Sequence, residues 1–229
     1  GAVRFRGDDV TTASRRDRID AGMAYVPEDR QERGLLMEFD LVENGLLGSQ
    51  HGVELASSGR IDWSATRDHA EAIIDEYDVR PPDANADAHS LSGGNQQKFI
   101  VGREFERDPE LVVASHPTRG VDVGSIEFIH ERLLELRKQG VAILLVSSKL
   151  EEVQGLSDRL AVAYEGEFVD VVDPDETTEE ALGLLMAGEQ PAAHGSDSTD
   201  AQSEHSGAPS PANDPDERSN TTCWVPPSP

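Results

Sequence analysis

Apolar positions along this chain follow two alternating periods. Short alternating or continuous apolar runs fall at Gly1–Arg6, Met23–Pro27, Glu110–Ser115, Val141–Val146 and Leu160–Tyr164. These predict strands, and the continuous runs 110–115 and 141–146 read as parallel strands buried on both faces. Between them the apolar spacing changes to three and four. Ser14–Ala21 predicts a short polar helix, Val42–Leu47 opens a helical region, and Ser125–Gln139 is an amphipathic helix closed by Gly140. Trp63–Tyr77 places Trp63, Ala70, Ile73, Ile74 and Tyr77 on one packing face, with His69 read as a solvated residue rather than a ligand. A hairpin is expected at Glu165-Gly166-Glu167 and a last helix over Thr177–Ala187. Strands separated by helices predict an α/β fold, a mainly parallel sheet with covering helices. After Gly188 the periodicity stops and Ser, Pro, Ala, Asp and Gly dominate. That composition predicts a folded part over 1–187 and a disordered acidic tail over 188–229, with Cys223 and Trp224 exposed to solvent.

Charge changes this picture in one respect. The 229 residues carry 20 Lys+Arg against 45 Asp+Glu, a net charge of -25, which argues against nucleic acid or anionic lipid as a direct partner. From Gly188 onward there are seven acids and one arginine, so -19 remains on the folded part. Only Lys98, Lys138 and Lys149 are lysines. Acid spread over a folded domain with Lys nearly absent is the pattern of a halophilic protein, adapted to a salt-rich cytoplasm. The single cysteine excludes an internal disulfide framework and a Cys-based zinc site. No stretch reaches the ~18 apolar residues of a membrane span and no signal-peptide pattern is present, so membrane contact is expected to run through a partner.

The candidate chemistry centres on Leu91-Ser92-Gly93-Gly94-Asn95-Gln96-Gln97-Lys98. The stretch follows a loop rich in Asp, Ala and Pro and precedes Phe99-Ile100-Val101, the order expected of a helix start with Ser92 as N-cap. Glycines there let a ligand approach the unpaired N–H groups and the positive end of the helix dipole, which together suit an anion. The octapeptide resembles the signature motif of the ATP-binding cassette (ABC) ATPases, in the form found in importers of simple sugars and nucleosides. The resemblance implies that Ser92, Gly93, Gly94, Asn95 and Gln96 act on ATP held by an opposing cassette. It also implies a P-loop NTPase-like fold with a helical subdomain, here over about 30–107.

Other segments carry the same resemblance. Val26-Pro27-Glu28-Asp29-Arg30, with Gly34-Leu35, is similar to the Q-loop region of these importers, with Glu28 at the glutamine position. Pro117-Thr118-Arg119-Gly120-Val121-Asp122 matches the D-loop, whose aspartate is Asp122. Three catalytic positions depart from the family: Ser115 stands at the metal-binding aspartate, His116 at the catalytic glutamate and Ser148 at the switch histidine. The phosphate loop GxxxxGKS/T does not occur in the sequence, so the resemblance is to a cassette lacking its Walker A portion. The closest resemblance is to the C-terminal cassette of tandem ATP-binding subunits. It implies a transport-coupled ATPase in the assembled complex and an isolated chain that does not hydrolyse ATP. ATP and Mg2+ are then bound mainly by a second cassette. Integral membrane permease subunits hold the protein on the cytoplasmic face of the membrane, and a solute-binding protein acts indirectly. The competing reading is a non-catalytic scaffold or regulatory remnant docked on a permease. Substitutions at Ser92 or Gly94 are expected to fall at an exposed helix start and leave the chain folded.

The charge yields a first prediction. Self-repulsion from -25 charges is screened over ~10 Å at 0.1 M salt but over ~3 Å at 1 M. The thermal midpoint followed by circular dichroism is expected to rise steeply between those conditions; a flat profile would mean that the acids are locally compensated.

Overall fold

The computed structural model describes residues 1–50, 55–57, 60–189 and 221–225, the last five by their backbone. The chain opens with a small antiparallel pair, β1 (Arg4–Phe5) and β2 (Asp8–Asp9), followed by helix α1 (Arg15–Asp20) and strand β3 (Met23–Val26). A wide turn over Arg30–Gly34 leads to helix α2 (Leu41–Gly45) and a second small pair, β4 (Ala56–Ser57) with β5 (Arg60–Ile61). Helices α3 (Trp63–Glu76) and α4 (Gly93–Phe105) come next. Then β6 (Leu111–Ser115), α5 (Val123–Lys138), β7 (Ala142–Val146), α6 (Leu150–Leu156) and β8 (Arg159–Tyr164) alternate as the sequence predicts. Strand β9 (Glu167–Val172), helix α7 (Glu179–Met186) and β10 (Thr221–Val225) complete the described elements.

Six strands form the central sheet in the order β3-β6-β7-β10-β8-β9. All neighbours are parallel except β8 and β9, which form the expected hairpin. Burial alternates along β6 and β7: Val112, Ala114, Ile143 and Leu145 are buried, while Leu111, Val113, Leu144 and Val146 on the other face are only half-buried. The expected burial on both faces is found on β8, where Leu160–Ala163 are all buried, and not on these two strands. In register, Val26 lies beside Ala114 and Ser115 beside Val146, so the residues after β3, β6 and β7 leave the sheet at one edge.

Helices α2, α3 and α4 pack into the same core through Leu41, Ala70, Ile73, Phe99 and Ile100, all fully buried. Close approach is built into α4. A Cβ on Gly102 would stand 2.7 Å from Ile73 and 2.8 Å from the Tyr77 ring, so only glycine lets the two helices meet there. Ala70, Ile73, Ile74 and Tyr77 occupy the predicted packing face, but Trp63 does not: it is 52% exposed. It is the first residue of the helix after its N-cap Asp62, and burial begins only a turn later, at Thr66. His69 is half-buried rather than solvated.

Buried charge joins these helices to the sheet. Arg103 and Glu104 of α4 are 3% and 5% exposed. Arg103 donates to the Glu104 carboxylate at 3.0 Å and to the carbonyl of Gly34 at 2.9 Å, while Arg107 reaches the other Glu104 oxygen at 3.0 Å. Burial works against the Arg103 charge and Glu104 beside it restores part. Asn44, fully buried on α2, bonds both backbone groups of Leu36 and the carbonyls of Phe39 and Asp40, which fixes the preceding loop.

The strand Thr221–Val225 departs from the tail predicted by composition. Its backbone pairs with β7 on one side and β8 on the other. Thr-Thr-Cys-Trp-Val is β-branched and aromatic, the composition that suits a strand, but at five residues it is hidden among Pro, Ser and Asp. The rest of the predicted tail, 190–220 and 226–229, lies outside the described residues.

Candidate functional site

The start of α4 is a polar feature held by several hydrogen bonds. Ser92 caps it in extended backbone (φ -62, ψ 157) and is exposed. Its hydroxyl oxygen accepts from the Asn95 N–H at 3.4 Å and from Asn95 Nδ2 at 2.9 Å. A hydroxyl has two acceptor positions and one proton, so with both acceptances made by Asn95 the proton is what remains to be donated. Asn95 is itself fixed by the Arg80 N–H, which donates to its Oδ1 at 2.8 Å. Gln96 is buried, and its amide donates to the carbonyls of Ala88 and Leu91 at 3.1 and 3.2 Å. Through that nitrogen it secures the loop before the helix.

Beneath the helix start lies the start of another helix. Asp122 caps α5, accepting from the Ser125 N–H at 3.0 Å and the Ser125 hydroxyl at 2.9 Å. These bonds hold its carboxyl below the usual carboxylate range. Gly94 is buried against this cap, and any Cβ there would overlap the Ser125 hydroxyl and the Asp122 carboxylate. A Cβ on Gly93 would stand 2.7 Å from the Arg30 guanidinium and 3.2 Å from the Gly120 carbonyl. Arg30 in turn donates to the carbonyls of Arg119 at 2.8 Å and Gly120 at 3.1 Å. The segment after β3, the start of α4 and the loop after β6 therefore meet at one point. Beside it Glu28 pairs with Arg119 at the surface, bordering a cleft of about 640 Å3 that also reaches Tyr25, Arg33 and Ser115.

The three departing catalytic positions collect at the adjoining sheet edge. Ser115 ends β6 and lines the cleft. His116 follows in the left-handed region (φ 45), with its N–H donating to the Val146 carbonyl at 2.7 Å. Ser148 is exposed in the loop after β7. Under this edge sits a buried network that sequence reading missed. The Glu152 carboxylate, 3% exposed, accepts from Thr118 Oγ1 at 2.7 Å, contacts His130 Nε2 at 3.0 Å and accepts from Ser147 Oγ. Burial alone would raise the Glu152 carboxyl, but the bonds from His130, Ser147 and Thr118 outweigh it and hold it low. Lys149 Nζ donates to the same Thr118 hydroxyl at 3.0 Å.

Solved structures share this fold. A dimeric ATP-binding cassette in a post-hydrolysis state, bound to ADP and Pi, superposes with a TM-score of 0.64 at 21% identity. The match covers 76% of this chain and 73% of that one. A nucleotide-free cassette from an ABC transporter gives 0.59 at 23% identity over 81% and 73%. This is the fold of an ATP-binding cassette. No protein-family model matches the chain. Curated relatives point to ABC ATPase cassettes of sugar and nucleoside importers. The guanosine import ATP-binding protein NupO of Bacillus subtilis is 45% identical over 188 residues, and the nucleoside import ATP-binding protein NupA of Lactococcus lactis 40% over 188. The glucose import ATP-binding protein of Haloferax volcanii is 42% identical over 190. Each alignment takes in 82% of this chain but only 37%, 37% and 34% of the relative, so the cassette spans about a third of their length.

Within the cassette, the structure brings Glu28, Ser115, His116 and Ser148 to one edge and Ser92, Gly93 and Asp122 to the adjoining junction. One expectation changes: Gly94 is a packing residue rather than part of an exposed surface, while Gln96 is buried with its amide nitrogen on the carbonyls of Ala88 and Leu91. The helix start was legible from Ser92 and the glycines; the cap of α5 beneath it comes from thirty residues further on and left no local signal.

Gly94→Ala is therefore expected to destabilise the chain by about 1–3 kcal/mol, the usual cost of forcing a methyl into a packed contact. Urea denaturation at high salt measures it. Gly94→Ala with wild-type stability would contradict the packing, and Ser92→Ala is expected to cost only the ~1 kcal/mol of a lost cap.

Proposed function

We propose that this cassette serves in an ABC importer for nucleosides or simple sugars, where it presents Ser92, Gly93 and the start of α4 to ATP bound on an opposing cassette. The observation that carries the reading is the exposed Ser92 hydroxyl, whose oxygen accepts from both the Asn95 N–H and Nδ2, which leaves its proton free to donate. Such a group donates to an anion and cannot accept from a cation's water shell. ATP, when bound across the interface, supplies the terminal phosphate whose charge these donors stabilise. Ser92 and the first N–H groups of α4 give hydrogen bonds there, and the helix dipole adds to them. Asn95 orients Ser92, and the Asp122–Ser125 cap sets the height of the helix start above the sheet.

Mg2+ fits this chain less well. Among the described residues no three His, Cys, Asp or Glu gather as a metal site, and Ser115 offers a hydroxyl where a carboxylate would be needed. In this reading the metal and the phosphate loop belong to the opposing cassette, and the edge carrying Ser115, His116 and Ser148 is not a competent site. Nucleoside importers are favoured because the 45% and 40% identical relatives are guanosine and nucleoside import proteins. No helix among the described residues is long and apolar enough to cross a membrane. In this reading permease subunits position the cassette at the inner face and carry the coupling. The acid excess, with a Haloferax relative at 42% identity, supports a halophilic setting. The scaffold reading draws on the same three altered positions, and the site across the interface separates the two.

In an importer reconstituted with its opposing cassette, Ser92→Arg is expected to lower ATP hydrolysis about 10²-fold, the scale of removing one preorganised donor to a developing charge. ATP binding by the opposing cassette should persist, and His116→Ala and Ser148→Ala should change turnover no more than about twofold, since neither holds a reacting group. Loss of turnover in His116→Ala with Ser92→Arg unaffected would reverse the assignment. Full turnover in all three would favour the scaffold.

A further inference from the structure

Helix α6 is capped through two intermediaries. Its N-cap is Lys149, whose side chain makes no capping bond to the helix, and Glu152 stands at the third helical position. In an ordinary capping box a glutamate there reaches back to the N-cap N–H directly. Here that N–H donates to Ser147 Oγ at 3.1 Å, and the Ser147 hydroxyl donates to Glu152 Oε2. A second path runs beside the first. Lys149 Nζ donates to Thr118 Oγ1 at 3.0 Å, and the Thr118 hydroxyl donates to Glu152 Oε1 at 2.7 Å. Residues 149 and 152 are thus joined twice, each time through one hydroxyl.

The arrangement commits both hydroxyls. A carboxylate only accepts and an ammonium or N–H only donates, so each hydroxyl gives its proton to Glu152 and takes a bond from Lys149. Thr118 and Ser147 are each 1% exposed, away from water. Ser147 belongs to the loop after β7 and Thr118 to the loop after β6, so the ring locks the two loops together. Ser148 lies between two of its members.

From Thr118 the chain leads directly to the start of α4. Two residues on, the Gly120 carbonyl accepts from Arg30 and lies 3.2 Å from where a Cβ on Gly93 would stand. Four residues on, Asp122 caps α5 beneath Gly94. The other end of this segment is tied down by the His116 N–H on the Val146 carbonyl. A short run of chain therefore connects a buried anchor to the point on which Ser92 is seated.

We propose that Thr118 and Lys149 are positioning residues for the signature. They fix the 116–122 segment on which the start of α4 rests, and so hold Ser92 in place for ATP on the opposing cassette. Neither touches the nucleotide. The inference rests on the reading of Ser92 given above. It makes Lys149, exposed beside Ser148 at the edge that is not a competent site, matter to a reaction at a different one.

The test uses the importer reconstituted with its opposing cassette. Lys149→Met and Thr118→Val are each expected to lower kcat for ATP about 10-fold, a fraction of the ~10²-fold that a 1 Å misplacement can cost. KM should stay within about twofold, because in this reading the phosphate loop that binds ATP lies on the opposing cassette. Lys149→Arg and Thr118→Ser keep the donor and the hydroxyl and should restore most of the rate. Lys138→Met, which loses the same charge on the exposed end of α5, should leave turnover unchanged. A loss shared by Lys138→Met, or not restored by the conservative variants, overturns the positioning role. If Thr118→Val does not fold, the exposed Lys149 variants decide. Ser92→Arg is measured alongside: full turnover there removes the reading of Ser92 and this inference with it. Loss of turnover in Ser92→Arg with Lys149→Met at full rate refutes the inference alone. Hydrogen exchange on the full chain in high salt reads the geometry without ATP. The Asn95 and Ser125 amides are expected to exchange about 10-fold faster in Lys149→Met; unchanged rates at both overturn the proposal.

Discussion

The structure depends on the contact between two helix starts. Gly94 of α4 rests on the Asp122–Ser125 cap of α5, with no room for a side chain between them. Arg30 closes the junction by donating to the carbonyls of Arg119 and Gly120. Three segments outside the sheet ladder thereby share one fixed point. Because α5 follows directly from β6 and its loop, the height of Ser92 above the sheet edge is set by covalent geometry and one close contact. A lengthening of either cap would shift the exposed hydroxyl relative to the sheet edge.

Buried charge supports this junction from two sides. Arg103, Glu104 and Arg107 tie α4 to the turn that ends at Gly34, and Glu152 ties the loops after β6 and β7 to α6. Such groups contribute little net stability when complete, since desolvation offsets their attraction. Removing one partner leaves an uncompensated buried charge at a cost of about 3–5 kcal/mol. Their effect is on geometry: each fixes a segment outside the strands. His116 and Ser148 lie in the loops after β6 and β7, next to Ser115 at the end of β6, so this sheet edge is tied to α6 through Glu152.

The alternation of strands and helices was legible because burial imposes a local period. β3, β6, β7, α3 and α5 all fall within a few residues of their predicted bounds, and Ser92 is an N-cap as its neighbours imply. What escaped was non-local. Trp63 has the right spacing for a packing face but precedes the part of α3 that meets other helices. Gly94 looks like an exposed turn residue until α5, thirty residues later, is brought beneath it. Arg30 and Glu152 sit in charged stretches with no periodic signal, and their partners lie 89 and 34 residues away. The pentapeptide Thr221–Val225 has strand-like residues, yet its pairing partners are some 60 to 80 residues upstream and its flanks read as linker.

The central claim is that Ser92 meets a phosphate bound by a different cassette. Cross-linking measures this most directly, using Ser92→Cys in a Cys223→Ser background against an opposing cassette with one cysteine in its phosphate loop. The account predicts a disulfide that forms with ATP under non-hydrolysing conditions and not without nucleotide. A cross-link that is absent with ATP, or equally strong in its absence, would contradict it.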